Sequence, residues 1–361
     1  MSDAEFKAPD LTKLDAFLRE RIQGQDFAAS RVTSAVQRAE LGLRKPNRPK
    51  AVFLFLGPTG VGKTETTLNL SRFLHGDESA VARFDMGEYG HDDSIQRLLG
   101  DSRGSQGLLG EAIDARPSGG ILLLDEIEKA HPRVSKVFLA ATDAARVTMS
   151  TGETKDLSEW YIIFTSNLGS ADAVKMEGVP YSMLERTVMQ AATAFFAPET
   201  IARFQHKIVF NSLSYDIQRS VALAMIDRES RLIERTATER YRIPVGVSHA
   251  AEVVTFLVRR GYTREMGARH MRDAIETHMG EPVARWMLST DKLHSPTELR
   301  FTAPPQSVSL SLHPVLREAG TIPRHGNEDP QENGEESFQE AAENPIRQSL
   351  PFASVEIGET S

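Results

Sequence analysis

Eight consecutive residues carry the clearest chemistry in this 361-residue sequence: Gly57-Pro58-Thr59-Gly60-Val61-Gly62-Lys63-Thr64, spaced as G-x-x-x-x-G-K-[ST]. The glycines let the backbone wrap closely, so successive N–H groups and the start of the following helix face a phosphate. Lys63 then reaches the β- and γ-phosphates of a nucleotide, and the Thr64 hydroxyl ligates Mg²⁺. Further on, Ile121-Leu122-Leu123-Leu124-Asp125-Glu126 sets two carboxylates at the C-terminal end of an apolar strand. Asp125 there belongs to the Mg²⁺ shell, and Glu126 polarises an attacking water. Alone, such a pair reads equally as a helix N-cap; the phosphate-binding loop in the same chain decides for chemistry. A third strand ends in Thr165-Ser166-Asn167. Asn167 by itself is a turn former, but next to a nucleotide it orients the lytic water.

These residues need strands to carry them and helices to flank them. Ala51–Leu56, Ile121–Leu124 and Tyr161–Thr165 are short and apolar, as strands buried on both faces are. Helical periodicity covers Leu11–Leu18, Asp26–Leu43 and Glu65–Leu74, with a basic, proline-punctuated loop from Arg44 to Lys50. Buried strands alternating with helices predict an α/β fold with a doubly wound parallel sheet. After Phe210 the pattern becomes helical: Tyr215–Thr238, His249–Arg260 and Met266–Leu288, with strands near Arg242–Val247 and at Thr297–Phe301. The expected domains are therefore 1–210, nucleotide-binding with N-terminal helices; 211–303, a small and mainly helical lid; and 304–361, a disordered acidic tail. No internal repeat is present.

Charge supports that division. Of the net −8, the segment 304–361 accounts for −7, with ten acidic residues against Arg317, Arg324 and Arg347, and it holds seven of the eighteen prolines. So polar a segment has too little apolar surface to offset its ordering entropy. Residues 1–303 carry 39 basic and 40 acidic side chains and are nearly neutral. The absence of cysteine excludes disulfides, thiolate zinc sites and a cysteine nucleophile, and fits a reducing, cytoplasmic setting. No stretch approaches the roughly 18 apolar residues of a membrane span, and the start of the chain is acidic rather than signal-like. The ten histidines lack zinc spacing. The near-neutral folded part, without aromatics interleaved among its basic residues, argues against nucleic acid as partner.

The motifs together resemble the AAA+ ATPase module of Clp-type chaperones and disaggregases, most closely the C-terminal module with its small domain. The matching strings are Arg21-Ile22-Gln23-Gly24-Gln25-Asp26, Phe53 through Glu65, Asp85-Met86-Gly87-Glu88-Tyr89, Leu123 through Pro132, Thr165 through Ser170, Gly261-Tyr262 and Gly267-Ala268-Arg269. They span roughly residues 10–303 in family order. The resemblance implies ATP and Mg²⁺ as ligands and a homo-oligomeric ring, a hexamer, acting on a protein partner. It puts Ile22 and Gln23 on the adenine side and the loop from Gly57 through Glu65 around the phosphates. It makes Asn167 sensor 1 and Arg269 sensor 2, reaching the γ-phosphate from the lid. It makes Arg203 an arginine finger for the neighbouring subunit's ATP, a role worth about 10³ to 10⁵ in rate where studied. Without the rest of the set, each arginine reads as a surface ion pair.

The sequence also departs from the family. Where a pore loop would carry an aromatic between glycines, Ser105 stands between Gly104 and Gly107, in a shortened loop. Gln23 replaces an apolar residue, Ala202-Arg203-Phe204-Gln205-His206 lacks the finger's usual acidic neighbours, and one ATPase module is present where such disaggregases have two. The leading expectation is Mg²⁺-dependent ATP hydrolysis coupled to remodelling of a protein partner. The alternatives are a nucleotide-dependent switch or assembly factor that does not thread its substrate, or a DNA-associated ATPase.

Overall fold

The computed structural model describes residues 9–101, 104–264, 266–289, 297–304 and 307–316. Two helices come first, α1 (Leu14–Arg21) and α2 (Asp26–Glu40). Gly42, at φ +73°, turns the chain out of α2 before the Leu43 that periodicity suggested. The strand β1 (Ala51–Leu56) is buried at every residue. It leads through the glycine-rich loop into α3 (Lys63–His75), which starts after Gly62 at φ +109° and stops at Gly76 at φ +89°. Next come β2 (Val81–Asp85), α4 (Ser94–Leu99), α5 (Gly107–Asp114) and β3 (Ile121–Asp125). Helix α6 (Pro132–Ala144) has His131 as its cap and proline in its first turn. The hairpin β4 (Arg146–Thr148) and β5 (Thr154–Asp156) precedes β6 (Tyr161–Ser166), again wholly buried. Three helices, α7 (Ser170–Lys175), α8 (Tyr181–Phe195) and α9 (Pro198–Arg203), lead to β7 (His206–Val209).

The main sheet has the order β2-β3-β6-β1-β7, and every neighbouring pair is parallel. The central strands β1, β3 and β6 are buried along nearly their whole length because each serves two cores, whereas the edge strands β2 and β7 carry polar residues. Phe53, Phe55, Leu123 and Ile163 pack on one face, with residues of α1, α2 and α3. Val52, Leu54, Leu122, Leu124, Ile162 and Phe164 pack on the other, with residues of α4, α5, α6 and α8. Helices on both faces of a parallel sheet confirm the doubly wound α/β fold and bring all five strand C-termini to one edge, where such folds bind ligands.

The chain continues in α10 (Tyr215–Tyr241), capped by Ser214, then β8 (Val245–His249) and α11 (Ala251–Gly261). The single helix expected over Met266–Leu288 is instead α12 (Met271–Ile275), a π turn at Glu276–Gly280 and α13 (Glu281–Ser289). The strand β9 (Thr297–Thr302) lies parallel to β8 and antiparallel to β10 (Ser311–Leu316). The last pairing corrects the boundary set at 304. Leu310 is buried and Leu312 packs on the core, so this stretch gains apolar burial while covering the open edge of β9. Pro314 is tolerated because β10 is itself an edge strand. The rest of the expected tail, 317–361, lies outside the described residues. The described residues all belong to one compact unit, and the second unit, Pro323–Ser361, lies outside them.

Candidate nucleotide-binding and hydrolytic site

The glycine-rich loop is shaped by what its backbone touches. A Cβ at Gly57, where φ is +137°, would lie 2.6 Å from the carbonyl oxygen of Phe210. One at Gly60, φ +70°, would lie 2.2 Å from the carbonyl oxygen of Met266. Both positions combine a positive φ with a close approach, which only glycine satisfies. The loop opens α3, so Lys63 and Thr64 sit in the first helical turn, where backbone N–H groups are unpaired within the helix.

Lys63 is buried. Its ammonium donates to the carbonyls of Gly57 (2.5 Å) and Pro58 (2.7 Å) and to Oδ1 of Asn167 (2.9 Å). Burial pushes its pKa down to about 8, against the opposing pull of Glu128, Asp125 and Glu126. Thr64 Oγ1 lies 3.5 Å from Asp125 Oδ2. The same Oδ2 accepts from an Arg83 amine at 2.7 Å, while Asp125 Oδ1 accepts from the Thr165 hydroxyl.

Glu126 occupies the left-handed region, φ 56° and ψ 54°, a conformation that costs a side-chain-bearing residue about 1–3 kcal/mol. The turn is fixed on both sides. Its N–H donates to Thr165 Oγ1 at 3.1 Å, and its carboxylate accepts from Asn167 Nδ2 at 2.7 Å and pairs with Lys129 Nζ at 2.5 Å. Asn167 in turn donates its backbone N–H to Glu128 at 2.9 Å, leaving the other Glu128 oxygen buried without a hydrogen-bond partner. The structure thus brings Lys63, Thr64, Asp125, Glu126 and Asn167 into one cluster at the C-terminal edge of β1, β3 and β6. Thr59 joins it through a 3.4 Å hydrogen bond to Asn167.

The remaining candidates sit around that cluster or away from it. Ile22 is buried against the loop, its Cγ2 lying 3.1 Å from where a Gly62 Cβ would be. Gln23 Oε1 is buried without a partner. Gln25, two residues on, clamps the segment to the loop through the Val61 carbonyl (3.1 Å) and the Asn211 backbone. The Glu65 side chain is engaged along its own helix by Asn69 and Arg72. Arg269 is exposed, but its segment lies directly on the loop: the Ala268 N–H donates to the Gly60 carbonyl at 3.1 Å. Arg203 is not part of the cluster; it pairs with Asp143 at 3.3 Å, which also holds Arg48 at 3.1 Å. Ser105 is exposed, and its hydroxyl turns back to accept from the Gly107 N–H at 3.3 Å.

Sequence reasoning did not single out Thr165, Glu128, Lys129 or Arg83. Thr165 follows Phe164, the strand partner of Leu124, and so lies beside Asp125 through a register that exists only in the folded sheet. Arg83 had no signal beyond its place on β2.

The cluster fits a Mg²⁺–nucleotide complex. Thr64 and Asp125 offer hard oxygen donors at one point, and no group of three or more metal-ligating side chains occurs among the described residues. Mg²⁺ is usually held in this way, by one or two protein oxygens together with phosphates and waters.

Comparison with known families decides the assignment. Residues 48–207 match the model described as AAA domain (Cdc48 subfamily), and residues 219–300 match the C-terminal, D2-small domain of ClpB protein. The chain carries a Clp-type AAA ATPase module. Among curated relatives of this module, Chaperone protein ClpB 1 of Thermosynechococcus vestitus is 40% identical over 295 residues, covering 80% of this chain and 33% of the relative. Chaperone protein ClpB of Gloeobacter violaceus is 39% identical, covering 78% and 32% respectively. Heat shock protein 100 of Trypanosoma brucei brucei is 37% identical, covering 81% and 34%. The Clp-type module therefore spans about a third of the length of the relatives it matches.

Proposed function

We propose that the chain hydrolyses ATP as its Mg²⁺ complex, in a homo-oligomeric ring of hexameric type, and uses the cycle to remodel a protein partner. One observation carries the hydrolytic part: the Asn167 amide binds Lys63 through Oδ1 and Glu126 through Nδ2. A single side chain thereby links the lysine that faces the phosphates to the carboxylate that would activate water. In this reading the loop N–H groups and Lys63 hold the phosphates, and Thr64 and Asp125 hold the cation. Mg²⁺ when bound would neutralise charge on the phosphate oxygens. Glu126 accepts the proton of the attacking water, and Asn167 keeps Glu126 and that water in register. Arg269 acts from the lid, Ile22 and Gln23 on the base side, and Arg203 on a neighbouring subunit's site. We further assign 1–210 to the nucleotide-binding domain and 211 through the end of β10 at Leu316 to the lid. The setting is the cytoplasm; no described helix is long and apolar enough to cross a membrane.

Exchanging Glu126 for glutamine tests the hydrolytic assignment. Nucleotide affinity should persist while turnover falls by about 10² to 10⁴, the range for loss of a general base. Turnover at the parent rate would remove Glu126 from this role.

Ser105 favours a second reading, in which nucleotide state switches partner binding without threading. A small hydroxyl folded back on its own loop offers no aromatic surface to grip a polypeptide. ATP-driven unfolding of a tagged substrate, lost on altering Ser105 and Gln106, would exclude that alternative.

A further inference from the structure

Asp125 Oδ2 has two neighbours of opposite consequence. On one side is Thr64 Oγ1 at 3.5 Å, the other protein oxygen proposed for the cation. On the other is the Arg83 guanidinium at 2.7 Å, the only ion pair made by that arginine among the described residues. Asp125 cannot turn away to serve both, because its second oxygen is bound by the Thr165 hydroxyl. The Asp125 side chain is 13% exposed, whereas that of Arg83 is 52% exposed on β2.

Two cations cannot share this oxygen at full strength. A Mg²⁺ held by Asp125, directly or through one of the waters it keeps, would draw on the same electron pairs that the guanidinium occupies. Their mutual repulsion at such separations is a substantial fraction of the attraction each feels for the carboxylate. Arg83 is the partner able to leave, since its side chain already reaches solvent and an exposed ion pair holds it weakly. We infer that Arg83 is a resident counter-ion that competes with Mg²⁺ for Asp125 Oδ2 and raises the Mg²⁺ concentration needed to load the site. Without the divalent ion, the guanidinium neutralises Asp125; when the ion binds, the guanidinium moves off into solvent. This inference rests on the proposed placement of the cation between Thr64 and Asp125.

The test uses the full chain and a fluorescent ADP whose affinity is measured across a Mg²⁺ titration and in EDTA. In Arg83→Gln the Mg²⁺ midpoint for tight ADP binding should fall by about fivefold, the scale of an exposed ion pair, with affinity in EDTA unchanged. Arg83→Lys keeps a charge but loses the planar fork, and its midpoint should lie between the two. An unchanged or raised midpoint in Arg83→Gln would overturn the inference, a raised one meaning that Arg83 positions Asp125 for the metal. Weaker ADP binding in EDTA would also overturn it, by placing Arg83 on the phosphates. Should Arg83→Gln fail to fold, a midpoint for Arg83→Lys at or above the parent's is the overturning result. Parent ADP affinity that ignores Mg²⁺ altogether would instead refute the cation site itself.

Discussion

Lys63 combines burial with a charge that its neighbours only partly support. Two backbone carbonyls and the Asn167 amide accept its three protons, and burial draws its pKa down to about 8. An incoming phosphate stabilises the charged form and so raises that pKa again. Below pH 8 the lysine is already protonated and binding needs no proton; above pH 8 binding must take one up. Nucleotide affinity should therefore be flat up to about pH 8 and then fall by up to about tenfold per pH unit, as proton linkage requires. Titration of a fluorescent ADP between pH 7 and 9.5 at constant ionic strength measures this. The slope should vanish in Lys63→Met, whose affinity is lower throughout. A parent profile that stays flat beyond pH 9 would show that the lysine keeps its proton for reasons other than those seen here.

Strands β1, β3 and β6 were legible because a strand covered on both faces must be apolar at every position, and little else in a polar chain looks like that. That the candidate site residues gather at their ends was legible for a related reason: the loop spacing and the Asp125-Glu126 pair are short-range patterns, of the kind phosphate and metal chemistry calls for. What escaped depends on contacts distant in sequence. Thr165 binds Asp125 across neighbouring strands, and Arg83 reaches Asp125 from β2. The lid helix expected from Met266 begins later because Gly267, at φ +55°, must pass the loop where its Cβ would lie 2.4 Å from the Thr59 carbonyl oxygen. Strand β10 was hidden by Pro314 and by the polar segment that follows it, since the open edge of β9 that recruits it exists only after folding. The contact between lid and loop gives a paired test. Gly60 and Gly42 share nearly the same backbone, φ +70° and +73°, but a Cβ at Gly42 meets nothing within 4 Å. Gly42→Ala should cost only the left-handed penalty of about 1–2 kcal/mol. Gly60→Ala adds the clash with Met266 and the Ala268–Gly60 hydrogen bond, and should lose clearly more in urea unfolding. Equal losses would mean that the lid segment yields freely and does not hold the loop.

Across the whole molecule, the phosphate loop, both carboxylates and Asn167 gather at one sheet edge, while Arg203 stands apart on α9. Its ion pair is with Asp143 on α6, and among the described residues no hydrogen bond or ion pair joins it to Lys63, Thr64, Asp125 or Glu126. An arginine so placed serves catalysis only if a second copy brings it to a neighbour's phosphates, which is the geometry of a head-to-tail ring. If Arg203 serves a neighbouring subunit, as proposed, two different lesions become complementary. Arg203→Ala leaves a subunit's own site intact but deprives its neighbour, whereas Glu126→Gln destroys the subunit's own site and still offers a finger. Each variant alone should be nearly inactive. Mixed in equal amounts and allowed to exchange, a site works when an Arg203→Ala subunit lies beside a Glu126→Gln subunit in the correct order. Random assembly then restores about a quarter of parental turnover per chain, if sites act independently and the finger acts only in trans. Diluting the mixture below the assembly range should abolish the recovery. A mixture as inactive as its components, under conditions where labelled subunits are seen to exchange, would place the action of Arg203 within its own chain and remove the strongest reason for expecting a ring.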